Sequence, residues 1–315
     1  QKEIIESDEF TGRLAAVDSV EVRARVSGYL DKVAFKAGQM VKKDDLLFII
    51  DQRPFRIALD QAAAQLAGAK ARAAVAERDL TRAQSLLAGK NVSEQTFDQR
   101  TQTKQTADAD LKAAQANYDN ARLNLEFTEV RAPVAGRVSR ELVSVGNLIT
   151  TGTSVLTTMV SLDPIYFYFD ADEASYLHYQ RMSEEGTRPS SRDVPNPVTL
   201  GLMDEQGFPH QGHMDFVDNQ FDPGTGTMRA PAVFPNPNAN LTPGQFARMR
   251  LPGSGKYLAT LIPDEAIGAD QALRVVYVVG EDNKAAARPV KLGPLVDGLR
   301  IVRSGLEPGD WIVVK

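Results

Sequence analysis

The feature that most constrains the fold of this chain is a short segment that occurs twice. Residues 22–28 read VRARVSG and residues 130–136 read VRAPVAG. In both copies a second glycine follows ten positions later, and apolar positions match as well. The glycines are Gly28 and Gly38, then Gly136 and Gly146; the matched apolar pairs are Val26 with Val134, Leu30 with Val138, Met40 with Leu148, and Val41 with Ile149. We interpret both copies as short strands broken by turns at these glycines, which predicts one small β-module split by an insertion.

The insertion has a helical pattern. Residues 54–87 and 93–127 each carry a stripe whose steps alternate between three and four, as in a coiled coil, and Gly89 between them favours a break. The predicted stripe of the first helix is Leu59, Ala62, Leu66, Ala69, Ala73, Ala76, Leu80, Ala83 and Leu87; that of the second is Phe97, Arg100, Lys104, Ala107, Leu111, Ala114, Tyr118, Ala121 and Leu125. A connection this short predicts an antiparallel hairpin. At ~1.5 Å per residue it projects about 50 Å.

Three residues near the predicted turn lie outside these stripes. Arg82 and Leu86 are four positions apart, so they share an outward face, and Ser93 stands where the second helix begins. Taken alone, they also fit a solvated charge, a single exposed leucine and an ordinary N-cap. The hairpin itself also fits a spacer that has no binding role.

The composition excludes several classes of protein. Lys and Arg number 36 against 41 Asp and Glu, giving a net charge of −5 without a basic block, so we expect no nucleic-acid partner. The chain has no cysteine, which excludes disulfides and thiolate metal sites within it and fits an oxidising compartment. No apolar run is long enough to cross a bilayer. Because the chain begins at Gln1 rather than Met, we expect that an N-terminal signal or membrane anchor is missing.

The second half of the chain has the pattern of β modules. Strand-forming runs at 165–169, 275–279 and 311–314 are separated by turn signals, and one short helix is predicted near 172–181. His210 and His213 flank Gly212 in a predicted hairpin, but no recognisable metal-ligand pattern accompanies them. We therefore predict no metal site, no cofactor and no catalytic residues.

Several segments, taken in order, carry a resemblance to a known family. The spacing Arg82-x3-Leu86-x6-Ser93 resembles the Arg-Leu-Ser motif of the periplasmic adaptors, or membrane fusion proteins, of Gram-negative tripartite efflux pumps. Further segments resemble the adaptors of resistance–nodulation–division transporters. They are LDPIYFYF at 162–169, DFVDN at 215–219, TGTMR at 225–229, FPNP at 234–237, LTPGQF at 241–246, IPDEAI at 262–267 and GLEPGD at 305–310.

The resemblance implies a mainly β fold with an inserted antiparallel α-helical coiled-coil hairpin. The implied domains are a split lipoyl-like domain at 21–53 and 128–160, the hairpin at 54–127, a β-barrel at 161–255, and a membrane-proximal β domain at 1–20 and 256–315. It also implies partners: an inner-membrane resistance–nodulation–division transporter, and an outer-membrane channel bound by Arg82, Leu86 and Ser93. The resemblance further implies a ring of six copies in the periplasm. The ring is expected to be attached to the inner membrane and to work in drug efflux.

Two kinds of alternative remain at this level. An adaptor of an ABC-type or metal-efflux system has a similar domain order. A lipoyl or biotinyl carrier segment of an enzyme shares the split β-module, but it needs a modified lysine at a tight turn, and the hairpin occupies that turn here.

Overall fold

A computed structural model of the chain describes residues 1–270, 273–280, 284–296 and 298–314. The chain divides into two compact units, one formed by residues 18–161 and one by residues 1–17 together with 162–315. Within the described residues, no helix combines the length and apolar character that crossing a bilayer requires.

The described elements follow one another along the chain. They are β1 (Lys2–Ile4), β2 (Ser7–Ala16), β3 (Ser19–Arg23), β4 (Gly28–Val33), β5 (Met40–Val41), β6 (Leu46–Ile50), α1 (Arg53–Ala88), α2 (Glu94–Glu126), β7 (Glu129–Arg131), β8 (Gly136–Val138), β9 (Leu148–Ile149), β10 (Val155–Val160), β11 (Ile165–Asp172), α3 (Glu173–Glu184), β12 (Pro197–Leu202), β13 (His210–Met214), β14 (Thr227–Phe234), β15 (Phe246–Pro252), β16 (Tyr257–Pro263), a 3-10 turn (Asp264–Ala266), β17 (Ile267–Asp270), β18 (Leu273–Val279), β19 (Ala285–Pro289), β20 (Lys291–Val296), β21 (Leu299–Ser304) and β22 (Trp311–Ile312).

The repeated segment builds a β-module in which the two copies interleave. One sheet has the order β3-β10-β8-β5 and the other β7-β6-β4-β9, so exchanging the copies converts one sheet into the other. Individual hydrogen bonds repeat: Gly38 N–H donates to the Val138 carbonyl (3.0 Å), and Gly146 N–H donates to the Leu30 carbonyl (2.8 Å). The hairpin connects β6 to its hydrogen-bonded neighbour β7, which confirms the predicted split module.

The prediction of turns at all four repeat glycines is half wrong. Gly38 and Gly146 have left-handed φ angles of 78° and 88°, as a turn requires. Gly28 and Gly136 instead begin strands β4 and β8. A Cβ atom would lie 2.7 Å from the Ile50 side chain at Gly28 and 2.2 Å from the Val160 carbonyl at Gly136, so close packing explains both glycines.

The first helix of the hairpin has the predicted register. The alanines spaced seven apart in its stripe are all buried: Ala62 (7% exposed), Ala69 (1%), Ala76 (7%) and Ala83 (6%). Leu66 is buried beside them, whereas Leu59, Leu80 and Leu87 are half-buried. Small side chains along one row allow the partner helix to approach closely.

The second helix contributes a less buried surface. Phe97, Leu111, Tyr118 and Leu125 are half-buried, as are the three alanines of its stripe. The prediction is wrong at Arg100, which is exposed while neighbouring Thr101 is half-buried, because a long cation remains solvated near the turn.

An ion triad crosses the stripe between the two helices. Lys104 Nζ lies 2.5 Å from Asp108 Oδ2 on its own helix and 3.4 Å from Glu77 Oε2 on the first helix. The hydrogen bonds to Asp108 and then to Glu77 raise the pKa of Lys104. Glu77 and Lys104 stand at equal distances from the turn, so this contact marks the antiparallel register.

A closed six-stranded barrel has the order β11-β14-β13-β12-β15-β2. The assignment of residues 1–20 to the membrane-proximal domain is therefore wrong from residue 7 onwards: β2 closes the barrel, and β3 belongs to the split module. An alternating strand pattern shows which residues face a core but not which sheet the strand joins. The predicted short helix is present as α3, capped by the Asp172 side chain.

The remaining strands form two small sheets. One has the order β1-β16-β21-β20, so a strand from the start of the chain does join the membrane-proximal part; the other contains β17-β18-β19, with β22 beside β18. Residues 271–272, 281–283, 297 and 315 of the expected membrane-proximal domain lie outside the described residues.

Overpacking the alanine row tests the hairpin register. We expect Ala69→Leu to destabilise the hairpin by about 1–3 kcal/mol, because added methylene groups force the helices apart. Ala67→Leu, two positions away on the exposed face, is the matched control. Thermal unfolding followed by circular dichroism at 222 nm measures both; equal effects of the two substitutions would contradict the register.

Candidate interaction site at the hairpin tip

The helix-to-helix connection is built by a C-terminal capping motif. Asn91 N–H donates to the Leu86 carbonyl and Lys90 N–H to the Leu87 carbonyl, both at 2.9 Å. These two bonds define a Schellman motif, which needs a left-handed residue just past the helix. The predicted terminator, Gly89, is the C-cap residue that follows the helix, with φ −84°, and Lys90 takes the left-handed position with φ 56°.

Ser93 caps the second helix. Its Oγ accepts a hydrogen bond from the Thr96 N–H (3.2 Å) and lies 2.9 Å from Thr96 Oγ1. The residue is exposed, and a hydroxyl has one donor and two acceptor positions, so capping does not use its full hydrogen-bonding capacity. Capping and binding a partner are therefore compatible roles.

Arg82 presents an accessible cation on the first helix. Its side chain is 73% exposed, and Nη1 lies 3.6 Å from Asp79 Oδ1 in the preceding turn. An exposed pair at this distance contributes little to stability. The guanidinium can therefore exchange Asp79 for a carboxylate or carbonyl group of a partner at small cost.

Leu86 places an apolar side chain one turn closer to the tip. It is 39% exposed, while its neighbour Leu87 is half-buried along the stripe. The carbonyl of Leu86 is held by the capping bond from Asn91, so its backbone is fixed at the point where the helix ends. The tip thus combines a cation, an apolar group and a hydroxyl on an ordered backbone, which suits recognition of another protein's surface.

Sequence reasoning did not identify Lys90 as the residue that forms the turn. The stretch Gly89–Asn91 indicates a break, but glycine or asparagine is expected at a left-handed position, so nothing in the pattern distinguishes Lys90.

The histidines singled out from sequence belong to the barrel. His210 and His213 belong to barrel strand β13 rather than to a turn. His210 Nε2 is 2.9 Å from Glu205 Oε1. Across the residues with described positions, no three His, Cys, Asp or Glu side chains are grouped to hold a metal ion.

Comparison with known protein families identifies the domains of this chain. Models of resistance–nodulation–division (RND) membrane fusion proteins match three consecutive stretches: the barrel-sandwich hybrid domain at 18–161, the β-barrel domain at 164–253, and the C-terminal permuted SH3 domain at 259–315.

Individual relatives agree with the family models. The efflux pump periplasmic linker BepF of Brucella suis is 38% identical over 305 residues, covering 97% of this chain and 73% of BepF. The multidrug efflux pump subunit AcrA of Escherichia coli K12 is 33% identical over 309 residues, covering 98% and 78%. A crystal structure of a MacA–MexA chimera containing the Pseudomonas aeruginosa MexA α-hairpin matches in fold, with a TM-score of 0.63, 24% identity, and coverage of 99% and 98%.

The chain belongs to the family of RND membrane fusion proteins, whose members are periplasmic adaptors. This confirms the resemblance and the predicted fold class, and it favours the RND class over the ABC-type alternative.

The turn itself is open to a direct test. Lys90→Gly removes the steric cost of a left-handed lysine, so we expect it to stabilise the hairpin by up to about 1 kcal/mol. Lys70→Gly, in the middle of the first helix, is expected to destabilise it by about 1 kcal/mol. Denaturant unfolding followed by circular dichroism distinguishes them. Destabilisation by both substitutions would contradict the capping geometry.

Proposed function

We propose that this chain is the adaptor that connects an inner-membrane RND transporter to an outer-membrane channel in drug efflux. The hairpin tip binds the channel, with Arg82, Leu86 and Ser93 making the contact. The observation that carries this assignment is the combination of exposure and order at the tip: Arg82 is 73% exposed, yet both helix ends at the turn are held by capping hydrogen bonds. The names of BepF and AcrA support the periplasmic efflux role.

The proposed role is one of geometry and binding rather than catalysis. The barrel and the membrane-proximal strands contact the transporter, at the inner membrane, and the energy for export is supplied there. The lipoyl-like module is proposed to pack side by side in a ring of six copies. A head-to-tail contact of this kind closes only when the rotation per copy divides a full turn.

Repetition makes individually weak contacts sufficient. Arg82, Leu86 and Ser93 together offer a guanidinium, a partly exposed leucine and a hydroxyl, which is a small interface by itself. When several tips are held in one ring, the second and later contacts form at high effective concentration. A substitution at the tip is repeated in every copy, so its effect on the assembly exceeds its effect on one contact.

The proposal predicts that reversing one charge abolishes export. In a Gram-negative strain deleted for this gene, we expect wild type to restore resistance to several unrelated drugs and Arg82→Asp to leave the strain as susceptible as the deletion. The physical reason is that a carboxylate replaces the cation offered to the channel. Minimum inhibitory concentrations measure the effect, with expression checked by immunoblot.

The matched control is Arg72→Asp. Arg72 is exposed on the same helix, ten positions away and so about 15 Å from Arg82, and it should retain wild-type resistance. Both variants should keep the helical signal of wild type. Full resistance with Arg82→Asp would refute the tip assignment and leave the adaptor role standing, whereas failure of wild type to restore resistance would refute the adaptor role.

A further inference from the structure

The β-barrel has a cavity at its mouth that the adaptor role does not use. Its volume is about 310 Å³, and it lies where α3 and the loop after it cover one end of the barrel. Its floor is formed by side chains of the barrel core, Phe169, Met214, Met228 and Leu251, each at most 3% exposed. Barrel mouths are frequent small-molecule sites, and such sites span roughly 300–1,000 Å³.

One wall of this cavity contains a buried cation. Arg188 is only 6% exposed, and its Nε has no hydrogen-bond partner. Nη2 donates to Ser191 Oγ at 3.2 Å, and the guanidinium carbon lies 4.6 Å from the centre of the Tyr179 ring. Among the described residues, no carboxylate lies within salt-bridge distance of Arg188. Burial lowers the pKa of Arg188, although an arginine keeps its charge.

Asp8 is a carboxylate whose charge acts on Arg188, but it is already hydrogen-bonded to Tyr179. Asp8 Oδ2 accepts a 2.5 Å hydrogen bond from the Tyr179 hydroxyl, and burial followed by this bond raises the pKa of Tyr179. The remaining charged groups lining the cavity, Arg192, Asp193 and Glu184, are exposed at its rim. A buried cation that has no anion in direct contact is costly, and an anion that binds beside it offsets part of that cost.

We propose that this cavity binds a small amphipathic anion. The anionic group, a carboxylate or sulfonate, pairs with the Arg188 guanidinium. The apolar body packs on Phe169, Met214 and Met228 at the floor. The site lies entirely within the barrel unit, so it stands or falls independently of the proposed tip contact.

Two probes with nearly the same apolar body separate the charge from the cavity. 1-Anilinonaphthalene-8-sulfonate carries a sulfonate, and N-phenyl-1-naphthylamine lacks it; both become fluorescent on entering an apolar site. We expect saturable binding of the sulfonate at one molecule per chain, about ten- to a hundredfold tighter than the neutral probe, since a charge-assisted hydrogen bond contributes that factor.

Variants of the intact chain then locate the site. Arg188→Met should weaken the sulfonate by about ten- to a hundredfold and leave the neutral probe within about twofold. Arg181→Met removes an exposed cation of α3 outside the cavity and should change neither probe. Ala171→Leu, which adds bulk to the half-buried cavity wall, should weaken both probes. Thermal unfolding and near-ultraviolet circular dichroism verify that each variant is folded.

Three results would overturn the proposal. They are equal affinity of wild type for the two probes, sulfonate binding that Arg188→Met leaves unchanged, and binding of either probe that Ala171→Leu does not affect. The first needs no variant, so the proposal remains testable even if Arg188→Met fails to fold.

Discussion

The structure of residues 18–161 depends on the pairing of β6 with β7 across the inserted hairpin. These strands come from different copies of the repeat, and each of the two sheets combines two strands from each copy. The pairing brings the start of α1 and the end of α2 to neighbouring positions, which is what permits a long antiparallel hairpin to leave a small module. The same use of both limbs of the chain recurs beyond the module, where β2 closes the barrel and β1 joins a sheet with β16.

The register of the two hairpin helices depends on the packing of small side chains and on charged groups that pair across the helices. The buried alanine row lets the helices approach, but alanines are alike, and a row of identical small residues does not by itself select one alignment. The Glu77–Lys104–Asp108 triad supplies the missing selectivity, because a shift of one turn would separate the charges that cross between the helices. At the far end, the capping bonds at Leu86 and Ser93 fix the backbone that carries the proposed binding residues. The side chains of Arg82 and Leu86 are exposed because they lie outside the stripe, and Ser93 is exposed although its hydroxyl caps α2.

Much of this arrangement could be predicted because it rests on periodicity. The repeat and the heptad stripe identified the split module, the hairpin and the buried row of α1, and the ordered motifs identified the family. The errors fall where local patterns lack three-dimensional information. Gly28 serves close packing rather than a turn, Lys90 adopts a left-handed conformation that its type disfavours, and Arg100 turns to solvent at a stripe position. The sheet joined by residues 7–16 depends on distant partners, and Arg188 becomes notable only when its burial is known. The tip contact remains a prediction.

Site-specific cross-linking is the sharpest test of the proposed contact between the hairpin tip and the outer-membrane channel. The chain has no cysteine, so a single introduced cysteine carries a thiol-directed photo-cross-linker at one defined place. We would compare Leu86→Cys at the tip with Ile57→Cys, which is 68% exposed near the base of α1, in assembled pumps in cells. We expect a cross-link from position 86 to the channel protein and none from position 57. A functional pump in which position 86 gives no channel cross-link, or in which both positions give the same one, would contradict the proposed contact.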